Sequence, residues 1–592
     1  MKKQRRLWFL LVFLLMLSMT ACSPGTTGTT TAATTAGAGA ATTASAITTE
    51  AVSDLPWLEY TIDIEKSALA TTLDNPNDVV TPYIENKFKI RVKEVIQGGS
   101  MTIGFKERLG TYAAANNLPD VIIAGNENCS YAVSTGKYGD LGPQIDNMVN
   151  LQKYMDPVFW PRFMNDGKRT QIPFASPDVT KEPYRSDPYI SPMSAWAIWA
   201  REDILKLCGY SFTSLKDIEE QYLTKGEIPP KNVYDIEPAI SGPDEFRILL
   251  EKIKDLNMMV GDTPLLPMST GAWSQFHIGS MFDFGHWRVD TSTGEADGFL
   301  GSPGAKDYYR YLNGLYQDEL IDNDFILQKD DQLQQKISSG RVATGMYIPN
   351  VPDAQASLKQ TVGDEAVIRY IEWPKLQEGV GAFDIFENGF WRLIIRDDFK
   401  EKDRLCQYFD WYYSDEGMDI LTWGPEEAGL WEMREGVKRF VDPQVEKDCI
   451  EMVVGGKGAD FYGLYAPGSS YFSYLSKAGI CAPYPAINTQ DYRRSLPPVL
   501  RSDTINRSAV SMGGYDLSGR YAYGDGSETV AKASSYFWSK FADEKVADLL
   551  QAKDETEFTA AWDDAYADFV KECDYVEARQ MMAEWFAENY KP

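Results

Sequence analysis

An α/β fold is predicted for this chain of 592 residues from two observations. After residue 55, strand-like and helix-like hydrophobic patterns alternate at the spacing of parallel βαβ units, in which a helix connects two strands of one sheet. Hydrophobic residues make up 44% of the chain and aromatic residues 13%, which is enough apolar material for packed cores. Several domains are expected, since about 100–200 residues per domain is usual.

The first part of the folded region predicts the start of the sheet. Residues 57–62 and 90–95 have strand patterns, and residues 118–123 form a short apolar run typical of a buried strand. Helices are predicted between these strands, over 79–88 and 105–115. This strand–helix–strand order favours a parallel sheet.

The second part predicts further helices and one more strand. The sequence SGPD at 241–244 combines a capping-box spacing with a proline in the first turn, so a helix is predicted over 245–256. The patterns downstream predict helices over 308–319 and 331–339, a strand over 342–347, and a helix-rich segment without comparable strands over 529–590.

The first 22 residues predict export and lipid attachment. Residues 2–6 carry four positive charges, residues 7–17 are almost entirely apolar, and small residues precede Cys22. This is the pattern of a signal peptide with a lipobox, so we expect removal of residues 1–21 and attachment of lipid (palmitate) to Cys22. The apolar run is short for a membrane span, although a retained N-terminal membrane helix is the alternative.

Residues 22–54 consist of the lipobox cysteine and a stretch that is mostly Thr, Ala and Gly. Such a composition buries too little apolar surface to fold, so this segment is interpreted as a flexible tether. We therefore expect the protein to be anchored by its lipid at the extracellular face of the cell membrane.

The net charge of −28 excludes one large class of partners. Nucleic-acid binding depends on clustered Lys and Arg, and so does lying flat on an anionic lipid surface. We expect no nucleic-acid partner, and we interpret the charge as an aid to the solubility of an exported protein.

No metal or other cofactor is predicted. The chain has no CxxC motif and only two histidines, His277 and His286, so a zinc site is not expected. Asp318, Asp322 and Asp324 lack the spacing, glycine and terminal glutamate of a calcium loop, and a solvated acidic loop is expected instead. Besides Cys22, six widely spaced cysteines are expected to be buried thiols rather than disulfides: Cys129, Cys208, Cys406, Cys449, Cys481 and Cys573.

Several ordered segments together resemble the extracellular solute-binding proteins of ABC importers, in particular the carbohydrate-type family 1 lipoproteins. The segments are NPNDVVTPYIENKFKIRVKEV, NNLPDVIIAGNE, AWAIWAREDILKLCGYSF, SGPDEFRILLEKIKD, KISSGRVATGMYI and FDWYYSDEGMDILTWGPEEAGLWE. One departs from the family pattern G-x-E-G-x-x-Y, because the stretch from Gly424 to Trp431 is one residue longer and ends in Trp. The shape of that loop is therefore open.

This resemblance implies a two-lobed, periplasmic-binding-protein-like fold of type 2, with a hinge between the lobes. Lobe 1 would comprise 55–195 and 345–415, and lobe 2 would comprise 196–344 and 416–592. The chain would cross between them near 190–200, 340–345 and 410–420. The implied function is capture of an oligosaccharide in the cleft by a monomer, followed by delivery to the permease subunits of the transporter.

Six residues are candidates for contact with such a ligand. A sugar needs aromatic side chains for its apolar faces and polar groups for its hydroxyls. The candidates follow predicted strands, lie in small polar loops, or correspond to loops near the cleft in similar proteins: Asn126, Glu127, Trp273, Tyr347, Asn350 and Tyr484. An ordinary turn is the alternative for Asn126 and Glu127.

Other residues are weaker candidates. Core packing is expected for at least one of Trp196 and Trp199, and a structural ion pair is expected for Arg201 and Asp203. Three further aromatic residues are less favoured ligand contacts: Trp391, Trp423 and Trp431.

Two alternatives to a sugar-binding protein stay open. A peptide-binding or sensor module of the same fold would have the same patterns. An extracellular glycan-active enzyme would need two placed carboxylates, which a chain with 86 acidic residues could supply. We nevertheless expect no enzyme, because no G-x-S-x-G, H-E-x-x-H or convincing S-x-x-K motif occurs.

Overall fold

A computed structural model provides the structure of the protein. It describes the following residues, all within one compact unit, 48–592: 55–64, 79–97, 103–153, 155, 160, 163–173, 196–225, 231–271, 278–290, 292–347, 351–371, 374, 376, 391–414, 416–417, 419–420, 424–434, 437–442, 515–516 and 527–589. Nine strands of the two largest sheets are numbered here in chain order: β1 (Leu58–Ile64), β2 (Ile90–Gln97), β3 (Val121–Gly125), β4 (Ile172–Pro173), β5 (Trp196–Arg201), β6 (Leu266–Met268), β7 (Val342–Tyr347), β8 (Ile368–Tyr370) and β9 (Trp391–Ile395).

The first sheet has the strand order β2-β1-β3-β9-β4. Strands β1, β2 and β3 are parallel, and the helices Val80–Phe88 and Ile103–Ala114 connect them, as the sequence predicts. Strand β9 comes from much later in the chain and runs antiparallel to β3. The βαβ prediction is therefore confirmed, and a distant strand completes the sheet.

Strand β3 begins three residues later than the apolar run suggests. Asp120 lies just before it and accepts hydrogen bonds from the backbone N and Oγ1 of Thr61, at 2.8 and 3.0 Å. The side chain of Asp120 thereby fixes the start of β3 beside β1. The strand itself is buried from Val121 to Ala124, so it supplies core residues to both faces of the sheet.

The second sheet has the order β6-β7-β5-β8. Strands β6 and β7 are parallel, whereas β5 runs antiparallel to both β7 and β8. Ile198 and Ala200 face one apolar core, while Trp199 faces another with Leu333 and Val342. The second sheet thus has cores of its own, separate from those of the first.

Strand β8 bears on the proposed lobe limits, which otherwise stay a prediction. It lies within 345–415, the range assigned to lobe 1 from the sequence, yet it pairs with β5 in the second sheet. Strands β7 and β8 share a sheet, so this passage between sheets lies between residues 371 and 391 and not near 340–345. The short apolar alternation of β8 fits either sheet, and backbone pairing with β5 decides between them.

The C-terminal segment is helical, as predicted. It contains the helices Glu528–Tyr536, Val546–Gln551, Glu555–Glu572 and Tyr575–Asn589, with a π-helix over Phe537–Lys545. These helices pack on the core beneath the second sheet. Tyr575 stacks on Trp287 with ring centroids 5.3 Å apart, and its hydroxyl donates to the carbonyl of Gly298 at 3.2 Å.

The helix predicted over 245–256 is present at Pro243–Asp255, but the predicted capping box is wrong. Its N-cap residue is Gly242, which has no side chain to accept a hydrogen bond from the first turn. Pro243 occupies the first turn as expected, because its missing N–H would have no helical partner there.

The remaining elements are short helices, strands and hairpins. The other α-helices described are Asn126–Ser134, Gly142–Ile145, Glu202–Leu207, Leu215–Lys225, Ala305–Gln317, Asp330–Ser338, Val351–Thr361 and Lys402–Trp411. The other strands described are Met164–Asn165, Lys168–Arg169, Met259–Val260, Thr263–Pro264, Arg288–Asp290, Ala296–Asp297, Trp431–Arg434, Val437–Phe440 and Tyr515–Asp516. Among the residues that the structure describes, no helix is long and apolar enough to cross a membrane.

The described cysteines are buried thiols, as predicted. Cys208, Cys406 and Cys573 are free, and burial raises the pKa of each thiol. Cys129 is fully buried, and its Sγ donates to the carbonyl oxygens of Ala124 and Arg392 at 3.5 Å. Cys22, Cys449 and Cys481 lie outside the described residues.

Candidate ligand-binding site

The carboxyl end of β3 forms one part of the candidate site. Asn126 and Glu127 are the first two residues of the helix Asn126–Ser134, which begins directly after β3 with Gly125 as its N-cap. They do not form an ordinary turn, because the strand continues straight into a helix. Backbone N–H groups in the first turn lack helical partners and carry the positive end of the helix dipole, so they can donate to a polar ligand.

An aromatic residue adjoins this edge of the first sheet. Trp391 is the first residue of β9, and in the antiparallel register it pairs with Gly125. The start of β9 and the end of β3 therefore lie at the same edge, directly before Asn126.

The second sheet has a comparable edge. Tyr347 is the last residue of β7, and it pairs with Trp196 at the start of β5. Strand β6 runs parallel to β7, so its carboxyl end at Met268 lies at the same side and is followed by Ser269 and Thr270. Trp273 comes shortly after them in the chain, outside the described residues.

Gly345 permits β7 to lie close to the backbone at the end of β6 and to the side chain of Trp199 in β5. A Cβ atom on Gly345 would lie 2.5 Å from the carbonyl oxygen of Ser269 and 3.1 Å from the ring of Trp199. Real Cβ atoms do not approach backbone atoms that closely, so the small residue in this strand is required by packing.

Buried polar side chains hold the end of β6 in place. Ser269 donates through Oγ to Oδ2 of Asp322 at 2.8 Å, and Gln328 donates through Nε2 to Oγ of Ser269 at 2.9 Å. Gln328 also donates to the carbonyl of Thr270, and Lys336 donates to Asp322 at 2.6 Å. These contacts fix the backbone from which the chain continues towards Trp273.

This network corrects the solvated acidic loop expected from the sequence. Asp322 is 4% exposed and paired with Lys336, whereas Asp318 forms an exposed pair with Arg247. The side chains of Asp318 and Asp324 are 56% and 81% exposed, so the expected solvated loop is wrong for Asp322 only. No group of three or more His, Cys, Asp or Glu side chains in the described ranges could hold a metal ion.

The other aromatic and charged candidates have structural positions where they are described. Trp199 is fully buried in the core, as expected for one of the tryptophans in that strand. The predicted ion pair is confirmed, since Arg201 and Asp203 are 2.6 Å apart, and Arg201 also donates to the carbonyl of Gly340 at 2.6 Å.

The loop that departs from the family pattern contains a short 3₁₀ helix, Glu426–Ala428. Gly429 follows in the left-handed region at φ 64°, and the chain then enters the hairpin of Trp431–Arg434 and Val437–Phe440. The indole Nε1 of Trp431 donates to the carbonyl of Gly424 at 3.1 Å, so this side chain closes the loop.

The six candidate contacts differ in what the structure shows. Asn126, Glu127 and Tyr347 have described backbone positions at the two sheet edges, and their roles stay predictions. The other three, together with Trp423, lie outside the described residues: Trp273, Asn350 and Tyr484. Sequence patterns missed the contacts of Ser269 with Asp322 and Gln328, because these partners lie more than 50 residues from Ser269 in the chain.

The fold defined by these two sheets is that of two-lobed solute-binding proteins, and the predicted fold class is thereby confirmed. The sequence itself matches no family model and no curated protein.

Three solved structures illustrate the similarity. An HMO-binding, ABC-transporter-associated solute-binding protein from Bifidobacterium longum infantis has a TM-score of 0.57 at 14% identity, covering 90% of this chain and 100% of its own. The substrate-binding protein FusA of S. pneumoniae, as an EF-hand mutant with fructo-nystose, has a TM-score of 0.56 at 14% identity with the same coverage. The alginate-binding protein AlgQ2 without calcium ion has a TM-score of 0.53 at 16% identity, covering 90% of this chain and 99% of its own.

Proposed function

We propose that this chain is the lipid-anchored, extracellular substrate-binding protein of an ABC importer and that it binds an oligosaccharide between its two lobes. The observation that carries the proposal is the pairing at the two sheet edges. In one sheet Trp391 is in register with the residue before Asn126, and in the other Trp196 is in register with Tyr347. Aromatic residues beside polar groups at strand ends provide the chemistry that sugar faces and hydroxyls require.

The similar solved proteins support the same proposal. AlgQ2 binds alginate, the Bifidobacterium protein binds HMO, and the FusA mutant is in complex with fructo-nystose. The last two are solute- or substrate-binding proteins of ABC transporters. In the proposed role the protein is a monomer that releases its ligand unaltered to the permease subunits.

Binding is tested by calorimetry on the full chain with panels of oligosaccharides and short peptides, alongside an assay for new reducing ends. Saturable binding of a saccharide without new reducing ends is the expected result. New reducing ends would establish an enzyme instead, and binding confined to peptides would establish a peptide receptor.

Replacing Trp273 or Tyr347 with alanine is expected to weaken saccharide binding about tenfold or more, because each variant loses an aromatic surface worth roughly 1.5–3 kcal/mol when it is covered. The measurement is the dissociation constant of each variant, with its melting temperature as a check on folding.

Trp57→Ala and Tyr566→Ala are the matched controls. Trp57 is 43% exposed and precedes the amino end of β1, at the opposite edge of the first sheet from Asn126, and Tyr566 is 38% exposed in a C-terminal helix. Unchanged affinity in both test variants would remove these residues from the site.

Lipid anchoring gives a separate expectation for Cys22. The Cys22→Ala protein should be neither lipidated nor cleaved at this position, so its N-terminal peptide should retain residues 1–21 and carry no lipid mass, and any partition into detergent should no longer depend on lipid. The measurement is detergent phase partition together with the mass of the N-terminal peptide. A wild-type N-terminal peptide that begins at Met1 without lipid would contradict the proposed anchor.

A further inference from the structure

The last described helix, Tyr575–Asn589, is anchored on the second lobe. Tyr575, Ala578, Met582 and Phe586 are buried in the core beneath the second sheet, at spacings that place them along one side of the helix. Arg579 adds a hydrogen bond from Nε to the carbonyl of Ala296 at 2.7 Å. The helix therefore moves with the second lobe.

One side chain of this helix also reaches the first lobe. Trp585 is half-buried and packs against two cores, the core beneath the second sheet and the core that includes β1, β3, β9 and the helix Lys402–Trp411. Among the apolar side chains that the structure describes, Trp585 alone packs against both. The other partly buried residues on either core contact only that core.

This position has a physical consequence for lobe movement. Closure of two lobes around a ligand is a rigid-body rotation about the segments that connect them. Dispersion contacts lose a quarter to a half of their energy when a gap of about 0.5–1 Å opens, so a ring packed on both bodies resists their rotation. An indole has a large rigid surface, which makes it effective in this role.

We propose that Trp585 is a conformational latch that stabilises the relative orientation of the two lobes seen in this structure. The indole does so by packing on the first lobe while its helix stays fixed to the second. The latch goes beyond the proposed function, since it requires two lobes that can rotate but does not depend on the identity of the ligand.

The experiment measures the distance between the lobes in the full chain without ligand. Spin labels are attached to noncanonical residues introduced at Val149 and Leu327, which are 65% and 82% exposed and lie on the first and second lobes. The wild-type chain is expected to give one main distance. Trp585→Ala is expected to broaden the distribution and to populate a second distance, and Trp585→Phe is expected to restore part of the wild-type peak.

Trp538→Ala is the matched control. Trp538 is 40% exposed in the same helical region and contacts Phe537 and His286, so its loss should leave the distance distribution unchanged. Hydrogen exchange of the backbone amides in 575–589 is measured in parallel, to detect release of the helix itself. The latch is overturned if Trp585→Ala keeps the wild-type distribution. It is equally overturned if the distribution changes only together with faster exchange along the whole helix, because the helix would then have left its own lobe.

Discussion

Replacing Gly304 with alanine is expected to lower the melting temperature of the second lobe by roughly 6–12 °C, which corresponds to a loss of about 3 kcal/mol. Gly304 is the N-cap of the helix Ala305–Gln317. A Cβ atom at this position would lie 1.1 Å from the carbonyl oxygen of Phe282 and 2.3 Å from its carbonyl carbon. Backbone atoms cannot move aside as a flexible side chain does, so one of the two segments must be displaced.

The displacement would disrupt a cluster of aromatic rings. Phe284 stacks on Tyr308 with ring centroids 5.1 Å apart, and Phe282 lies 4.9 Å from Tyr311. Both tyrosines lie in the helix Ala305–Gln317, which Gly304 caps. Both phenylalanines lie in the segment that contacts Gly304. Moving one segment away from the other therefore separates these rings and opens the core between them.

Gly110→Ala is the matched control for this prediction. Gly110 lies in the helix Ile103–Ala114, and nothing lies within 4 Å of a Cβ atom there. Alanine in an open helical position is expected to stabilise by up to about 1 kcal/mol. Thermal unfolding followed by circular dichroism measures both variants. A Gly304→Ala protein that melts together with the wild type would show that the two segments are not in contact.

Replacing Arg369 with methionine is expected to destabilise the protein by about 3–5 kcal/mol, because it would leave the buried carboxylate of Glu202 without its counterion. Arg369 Nη1 donates to Oε1 of Glu202 at 2.9 Å, and the two side chains are 0% and 2% exposed. Arg369 also donates to the carbonyl oxygens of Thr213 and Tyr234, at 2.9 and 2.6 Å. Burial lowers the pKa of this guanidinium from its ordinary value, which reflects the cost of keeping the charge away from water.

A double variant separates the unpaired charge from the lost packing. Glu202→Gln combined with Arg369→Met removes both charges. The backbone N–H of Leu215 donates a hydrogen bond to Oε1 of Glu202 at 3.0 Å, and the glutamine oxygen can still accept it. We expect the double variant to regain part of the stability lost by Arg369→Met alone. The measurement is the midpoint of thermal unfolding for each protein.

Arg310→Met is the control for a surface pair. Arg310 pairs with Glu555 at 2.8 Å, but 40% and 63% of the two side chains are exposed. Exposed pairs contribute little to stability, so this variant should melt close to the wild type. Equal effects of Arg369→Met and Arg310→Met would contradict the assignment of the Glu202–Arg369 pair to the protein interior.

The parts of the fold that follow from local patterns were predicted well. Strand β7 has the predicted bounds, and the helices around the first three strands shift by at most two residues at either end. These elements have the clearest hydrophobic periodicity, which depends on near neighbours in the chain. Strand β8 has only three residues, which is too short for its period to identify it, and its place in the second sheet depends on pairing with β5.

The candidate site could be predicted only as positions at strand ends. Asn126 and Tyr347 follow from the order of strands, because parallel strands end at one edge of a sheet. The support of the second edge depends on Ser269, Gln328 and Asp322, which are brought together by the folded chain. Asp322 was expected to be solvated because neighbouring residues are acidic, and its partner Lys336 lies 14 residues further on.

The discontinuous order of the strands constrains synthesis of the protein. The first sheet needs β9, more than 260 residues after β3, to fill the place between β3 and β4, and the core beneath the second sheet needs the helices after residue 527. Neither lobe can be finished while its later segments are still in the ribosome. An emerging chain of this kind stays incompletely folded for most of its translation, and no single contiguous fragment would reproduce either lobe alone.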